Sequence, residues 1–197
     1  QNMKLTLRIN QNPESEEAQI LSLIKHKETK ERGYGLLIKK YSQRVYWQVR
    51  RMVYDHDDAN DLTQDIFIKV FENIENFNNS SKLSTWIYRI AYNHTLNFIK
   101  SKNRKISDAS CSFEQKVLSK LASDSLFEGD RVEHLLQQAI LSLPPKQRAV
   151  FQMRYYDELS FAQISQITKT TQGGLKASYH IAAKKIEEFV KANCNEV

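Results

Sequence analysis

Cysteine, glycine and proline are all scarce in this chain of 197 residues. Its two cysteines, Cys111 and Cys194, are too few for a disulfide framework or for a cysteine-rich zinc site. Five glycines and three prolines leave little of the turn chemistry that a β-rich fold needs. We therefore expect an all-α protein that works in a reducing compartment, the cytoplasm.

Long apolar runs are missing as well. No run approaches the roughly 20 residues that a membrane helix needs. The N-terminus also lacks the charged, apolar and small-residue order of a signal peptide. We therefore expect no membrane insertion, and the length allows one or two domains at about 100–200 residues each.

Basic residues outnumber acidic ones, 29 against 23, which gives a formal net charge of +6. The excess is unevenly placed, since residues 1–105 carry +6, residues 106–133 carry −3 and residues 134–197 carry +3. Two basic blocks joined by an acidic stretch are typical of a protein that touches a polyanion in two places. Many basic proteins nevertheless bind nothing acidic, so charge alone does not decide the function.

Near the C-terminus the pattern predicts a short helix, a tight turn and a second helix. Ser160–Gln163 has the residues of a capping box, and the polar run Lys169–Thr171 permits a turn and a new helix start. Five residues of the second helix form one apolar stripe: Leu175, Tyr179, Ala182, Ile186 and Phe189. This layout fits a helix-turn-helix DNA reader, and it fits an ordinary antiparallel helix pair equally well.

A second informative stretch begins at Asp55-His56-Asp57-Asp58. Asp and His together could bind a metal for phosphoester hydrolysis, but carboxylates in the first turn of a helix explain the same residues more simply. We predict no metal site. The helix after them has one apolar stripe and a second face formed by Asp61, Gln64, Asp65 and Ile68. That face suits docking onto a basic partner, whereas Phe67 and Phe71 could also widen an ordinary core.

The stretch from Ser84 to Lys105 combines aromatic, amide and basic side chains. Ser84-Thr85-Trp86 opens a helix, and the basic run Lys100–Lys105 follows it. Aromatic faces that stack on bases, together with cations that follow the phosphates, are the means by which proteins hold single strands. This composition favours a nucleic-acid role over a purely structural one.

These blocks resemble the extracytoplasmic-function (ECF) sigma factors of bacterial RNA polymerase, a group of the sigma-70 family. The resemblance is carried by DANDLTQDIF at 58–67, STWIYRIAYN at 84–93, LPPKQR at 143–148 and LSFAQI at 159–164. It covers roughly residues 34–105 and 134–190. The order and separation of the blocks are more specific than any one of them alone.

The resemblance implies an all-α fold with two helical domains joined by a flexible linker. Sigma region 2 would bind core polymerase and would recognise and melt the minus-ten element, and sigma region 4 would read the minus-thirty-five element. The implied boundaries are a flexible N-terminal tail at 1–18, region 2 at 19–105, the linker at 106–133 and region 4 at 134–192.

The resemblance also implies residue roles. The residues expected to bind polymerase are Asp61, Gln64, Asp65, Phe67 and Phe71. Those expected to hold minus-ten DNA, beside the loop 78–83, are Ser84, Thr85, Trp86, Arg89, Asn93, Lys100 and Arg104. Those expected to contact minus-thirty-five DNA are Thr171, Gln172, Lys176, Ala177, His180 and Lys184.

A sigma factor has no catalytic residues, and we expect no metal and no cofactor. Core RNA polymerase and promoter DNA are the implied partners, and the resemblance leaves open whether an anti-sigma factor binds. The alternative is a stand-alone dimeric helix-turn-helix activator, which would leave the Asp61 face and the Trp86 helix without a role. The chain departs from the common family pattern in its last predicted helix. That helix opens with Gly173-Gly174-Leu175-Lys176 where the family often has Gly-Thr-Val-Lys, and Ile181 and Ala183 stand where the family often has arginine.

Overall fold

The structure is a computed structural model that describes residues 13–106 and 131–194. Every regular element in those ranges is helical, which confirms the all-α class. The elements are α1 (Pro13–Lys25), α2 (Lys30–Val53), α3 (His56–Asn73), a 3-10 helix (Ile74–Asn76), α4 (Leu83–Ile106), α5 (Arg131–Leu141), α6 (Pro145–Tyr155), α7 (Phe161–Thr168) and α8 (Gln172–Cys194). Within the described ranges, no helix has the length and apolarity to cross a membrane. The predicted linker falls mainly on residues 107–130, outside the described residues.

The chain divides into two compact units, residues 1–42 and 43–197. In the first unit, α1 begins at Pro13, inside the segment predicted as a tail, because proline is preorganised for the first turn of a helix. Lys40 of α2 forms an ion pair with Glu16 of α1, and the Tyr41 hydroxyl donates to Glu17. These bonds hold the N-terminal half of α2 against α1.

Gly33 and Gly35 both lie inside α2, whereas the sequence predicts a helix that begins only after them, from Leu36 to Tyr54. The surroundings of the two glycines differ. At Gly33, an added Cβ would lie 2.7 Å from Cγ1 of Ile24 and 2.9 Å from its backbone nitrogen. At Gly35, nothing lies within 4 Å of an added Cβ. Gly33 is therefore the position where α1 and α2 approach too closely for any side chain.

We expect Gly33→Ala to lower the free energy of unfolding by about 1–3 kcal/mol, because the two helix backbones must separate. The matched change Gly35→Ala should raise it by up to about 1 kcal/mol, because alanine favours a helix more than glycine does. Urea unfolding followed by circular dichroism measures both. Equal effects of the two substitutions would refute the close crossing at Gly33.

The second unit begins with the end of α2 and with α3. The Asp55 carboxylate accepts from the backbone nitrogens of Asp57 and Asp58, so it caps the start of α3, and both acidic residues lie in its first turn. The apolar stripe predicted for this helix is buried: Ala59, Leu62, Ile66 and Val70 in α3, and Ile74 in the 3-10 helix. Phe67, which the sequence predicts to face polymerase, is buried beside them. Because this stripe faces the core, the opposite surface of α3 faces solvent.

The C-terminal helices show the predicted helix-turn-helix layout. Ser160 accepts from the Gln163 backbone nitrogen and the Gln163 side chain accepts from the Ser160 nitrogen, so the capping box is present. α7 ends at Thr168, and Lys169 after it makes the turn with a left-handed φ of 59°. Thr171 then accepts from the Gly174 nitrogen at 3.3 Å and caps α8. The apolar stripe of α8 packs into a core with α5 and α6, with Ala182 and Ile186 at its centre.

α6 and α7 also pack against helices from the N-terminal part of the same unit. Arg148 is fully buried and directs Nη1 to the backbone oxygen of Met52 at 3.5 Å. Gln152 donates to the backbone oxygen of Arg51 at 2.8 Å. Both acceptors belong to the last turn of α2, whose carbonyls have no partner within the helix. Side chains of α6 therefore complete the C-terminal end of α2.

An ion pair between Arg51 and Asp157 lies beside this contact. Burial raises the pKa of the Asp157 carboxyl above its ordinary value, and the Arg51 guanidinium only partly offsets that effect. Arg51 also lies over the Tyr156 ring at 4.9 Å, so its guanidinium contacts two successive residues directly after α6.

Candidate nucleic-acid interface

The first four turns of α8 present a polar and basic surface to solvent. All six residues predicted to contact minus-thirty-five DNA are exposed. We call five of them on α8 the α8 outer face: Gln172, Lys176, Ala177, His180 and Lys184. Thr171 precedes them as the cap of the helix, and an added Cβ at Gly173 would meet nothing within 4 Å. A phosphate group can therefore approach the backbone nitrogens at the start of this helix.

The charge of α8 changes toward its C-terminal end. Lys184 lies 3.8 Å from Glu188, and Lys191 pairs with Glu187. The Lys191 ammonium lowers the pKa of the Glu187 carboxyl through a hydrogen bond and its charge. Both acidic residues of α8 thus lie in its second half, whereas residues 172–183 carry Lys176 and no carboxylate. A polyanion would meet this helix by its N-terminal half.

A second polar surface runs along α4. Asn93, Lys100 and Arg104 are exposed and lie on one side of the helix, because they are spaced by seven and four residues. Asn97 lies on the same side and is also exposed, although it was not among the predicted site residues. Its spacing of four residues from Asn93 was the signal that could have found it. We call these four residues the α4 strip.

The first turn of α4 is less accessible than predicted. Thr85 is buried at 6% exposure, so in this structure it supports the helix from within. Trp86 is half-buried, and its ring centroid lies 5.4 Å from that of Phe77. Arg89 is half-buried and donates from Nε to the backbone oxygen of Gln166 in α7 at 3.1 Å. Ser84 is also half-buried, so this turn offers less free surface than the α4 strip.

A cavity of about 800 Å³ separates the α4 strip from the helix-turn-helix. All four residues of the strip line one side of it, together with Tyr92. The other side is formed by Pro144, Pro145, Lys146 and Thr168, at the start of α6 and the end of α7. Its walls therefore carry amides, three cations and an aromatic ring, the combination that the sequence predicts for holding an unpaired strand.

The exposed face of α3 has the composition predicted for a docking surface. Asp61, Gln64 and Asp65 are exposed, and Ile68 beside them is 53% exposed. We call these four residues the α3 face. Asp65 also lies 3.7 Å from Nε2 of His94. The two predicted phenylalanines lie deeper, since Phe67 is buried and the half-buried Phe71 packs on it with centroids 6.1 Å apart.

The Asp-His cluster at the start of α3 is occupied by structural bonds. Besides the Asp55 cap, both His56 ring nitrogens have partners, the Tyr46 hydroxyl at 2.8 Å and the Asn60 amide at 3.0 Å. Asp58 pairs with Lys102 at 3.1 Å. Across the described ranges, no three His, Cys, Asp or Glu side chains are grouped so as to hold a metal ion. The helix-start interpretation of this cluster is confirmed.

Two protein families match the chain in order. Sigma-70 region 2 matches residues 37–105, and Sigma-70 region 4 matches residues 133–186. The first match contains the α3 face and the α4 strip, and the second contains α6, α7 and most of α8. The two matches together cover more than half of the chain.

Curated proteins similar to the chain include ECF RNA polymerase sigma factor SigW of Bacillus subtilis. It is 32% identical over 156 residues, which span 75% of this chain and 83% of SigW. The ECF RNA polymerase sigma-E factor of Escherichia coli is 27% identical over 169 residues, spanning 82% of this chain and 88% of that protein. The similarity therefore extends over most of the length of both relatives.

Two solved structures share the fold. The sigma factor RpoE of Bartonella quintana, solved with the anti-sigma factor NepR, has a TM-score of 0.63 at 18% identity over 80% of this chain and 96% of RpoE. CnrH, solved with the cytosolic domain of CnrY, has a TM-score of 0.63 at 14% identity over 90% of this chain and 96% of CnrH. The two domain matches and the likeness to SigW show the family. The chain belongs to the ECF group of the sigma-70 family, whose members direct RNA polymerase to promoters and initiate transcription.

Proposed function

We propose that three surfaces of this chain divide the work of a sigma factor among them. The α3 face binds core RNA polymerase, the α4 strip with Trp86 and Arg89 holds the opened minus-ten strand, and the α8 outer face reads the minus-thirty-five element. Sigma factors are non-enzymatic subunits of RNA polymerase, and this one acts in the cytoplasm, where the family works. Membership of the family leaves the stand-alone dimeric activator without support.

The observation that carries this division is the presence of two separate surfaces suited to DNA on one chain. The α8 outer face carries Lys176 and Lys184 along a helix that opens with two exposed glycines, which suits duplex DNA in the major groove. The α4 strip combines amides and cations beside aromatic rings, which suits an unpaired strand. A protein that both locates a promoter and opens it needs one surface of each kind.

The contact between Arg89 and Gln166 affects how the minus-ten site is reached. Arg89 belongs to the proposed strand site, and its Nε is engaged by a backbone oxygen of the helix-turn-helix. The guanidinium also has donors on Nη1 and Nη2, so a phosphate can bind Arg89 while the bond to Gln166 holds this side chain in place. We therefore infer that the position of Arg89 in the strand site depends on where α7 lies, so that minus-ten binding and the position of the helix-turn-helix are coupled.

The α3 face is the proposed polymerase contact because acidic side chains surround an exposed apolar one. Ile68 supplies apolar area that water otherwise covers, while Asp61 and Asp65 provide charge that a basic partner surface complements. Phe67 and Phe71 contribute indirectly, because their packing holds in place the helix that carries this face. Charge complementarity of this kind mainly sets the association rate and the specificity.

We expect Asp61→Lys to weaken binding to core polymerase about tenfold, because the new cation repels a basic partner surface. The matched control is Glu28→Lys, the same charge reversal at an exposed residue in the turn between α1 and α2. Competition against the wild-type chain measures affinity, and transcription by core polymerase on genomic fragments measures the consequence. If both substitutions leave competition unchanged while transcription stays dependent on the chain, the α3 face is not the contact.

We also propose the functional division of the chain that the sequence predicts. Region 2 would occupy residues 19–105 and region 4 residues 134–192, and the family matches at 37–105 and 133–186 support those limits. An anti-sigma factor is a further proposed partner, because the similar RpoE structure contains one. Purification of the full chain from cells should then yield two populations, one with core polymerase and one with a protein that excludes polymerase.

A further inference from the structure

Ile181 is an exposed aliphatic residue on α8 that the core does not use. Its side chain is 48% exposed, whereas the next residue, Ala182, is buried in the core between α5, α6 and α8. The buried stripe of α8 is complete without Ile181, because Leu175, Ala182 and Ile186 form it. Fold stability therefore does not account for an isoleucine at this position.

The position of Ile181 on the helix places it beside the α8 outer face. At about 100° per residue, Ile181 lies four residues and one turn after Ala177 on the same side. Lys184 and Lys185, both exposed, flank it on either side one turn further on. Ala177 and Ile181 thus form a small apolar ridge, with the polar residues of the α8 outer face on one side and Lys185 on the other. Ile181 is the tenth residue of α8, within its first three turns.

Single exposed apolar residues are common and need no explanation by themselves. Val132 on α5 is such a residue, with 52% exposure. Ile181 differs because it lies among cations, on the part of a helix that a duplex would contact. The major groove offers one apolar group for such a side chain, the C5-methyl group of thymine.

We propose that Ile181, with Ala177 beside it, determines promoter specificity by contacting a thymine methyl group in the minus-thirty-five element. The inference rests on the proposed role of the α8 outer face and adds a base preference to it. Lys184 and Lys185 hold the phosphates on either side, which brings the helix close enough for the isoleucine to reach the base. A methyl group buried against an aliphatic side chain leaves water, and that transfer favours thymine over the other bases.

The experiment compares thymine with deoxyuridine, which lacks only the methyl group. The full chain, assembled with core RNA polymerase, first selects its preferred upstream sequence from a pool of short randomised duplexes. Each thymine of the selected element is then replaced by deoxyuridine in turn. Wild-type affinity should fall about fourfold at one thymine, which corresponds to the roughly 0.8 kcal/mol of one buried methyl group.

Ile181→Ala should abolish the difference between thymine and deoxyuridine at that position, so that the two affinities become equal. Val132→Ala, a truncation at a similarly exposed aliphatic residue, should keep the fourfold difference. Lys176→Ala should weaken binding to both duplexes by the same factor, because a phosphate contact does not sense the methyl group.

Three outcomes overturn the inference. If wild-type affinity is unaffected by deoxyuridine at every thymine, or if the difference persists in Ile181→Ala, Ile181 does not read a methyl group. In both of those cases a weaker duplex complex with Lys176→Ala would leave the role of the α8 outer face intact. If no upstream sequence is selected, the proposed minus-thirty-five role fails, and the inference about Ile181 fails with it.

Discussion

Replacing Arg148 by alanine is expected to lower the free energy of unfolding by about 2–4 kcal/mol. The side chain is fully buried, so its truncation leaves a cavity between α6 and the end of α2. The Met52 carbonyl also loses a donor in a place where α2 itself provides none. A cation near the C-terminal end of a helix is favourable in addition, because the helix dipole is negative there.

Two further variants separate these contributions. Arg154→Ala removes an exposed arginine from the same helix, one that bonds Leu159 and lies over the Phe161 ring, and should cost about 1 kcal/mol or less. Arg148→Met keeps much of the volume without the charge and should fall between wild type and Arg148→Ala. Urea unfolding followed by circular dichroism gives the three values. An Arg148→Ala chain as stable as Arg154→Ala would mean that α6 does not complete the end of α2.

Local signals made the helix-turn-helix predictable from the sequence. The capping box at Ser160 and Gln163 and the turn at Lys169 depend on residues within four positions of each other, and both are present as expected. The exposed side of α8 follows from the helical period alone, once the apolar stripe is known. The Asp55 cap was predictable for the same reason. Features that depend on near neighbours in the chain can therefore be derived from the order of the residues alone.

Features that depend on distant residues were missed. Nothing near Arg148 in sequence indicates that it meets the Met52 carbonyl, 96 residues away, and arginine is rarely buried. The bond between Arg89 and Gln166 spans 77 residues, so the sequence could not reveal that the proposed strand site touches the helix-turn-helix. The position of Thr85 in a motif predicts contact with DNA, yet packing places this residue inside the unit. Tertiary packing decides these cases.

Trp86→Ala is expected to retain polymerase binding and to lose most open complex on a duplex promoter. A base that leaves the duplex loses its stacking, and a protein ring must replace it. Trp86 lies in the first turn of α4, two turns before the α4 strip, and its half-buried ring keeps part of its surface exposed. Loss of one stacked base is worth about 1–3 kcal/mol, so the population of open complex should fall about five- to 150-fold. A template with a pre-melted bubble should restore part of the transcription, because the energy of opening is already supplied.

The contact between Trp86 and Phe77 makes a structural role the competing explanation. With centroids 5.4 Å apart, the two rings stabilise each other, and truncation of either could loosen the loop before α4. Phe77→Ala separates the roles, because it removes this packing while leaving the tryptophan to stack on a base. A melting role predicts that Phe77→Ala opens duplex promoter better than Trp86→Ala at equal thermal stability.

Trp47→Ala controls for the general loss of aromatic area, because it truncates the other tryptophan of the chain at an exposed site on α2. If a folded Trp86→Ala chain opens duplex promoter at the wild-type rate and gains nothing from the bubble template, the strand is captured elsewhere on α4.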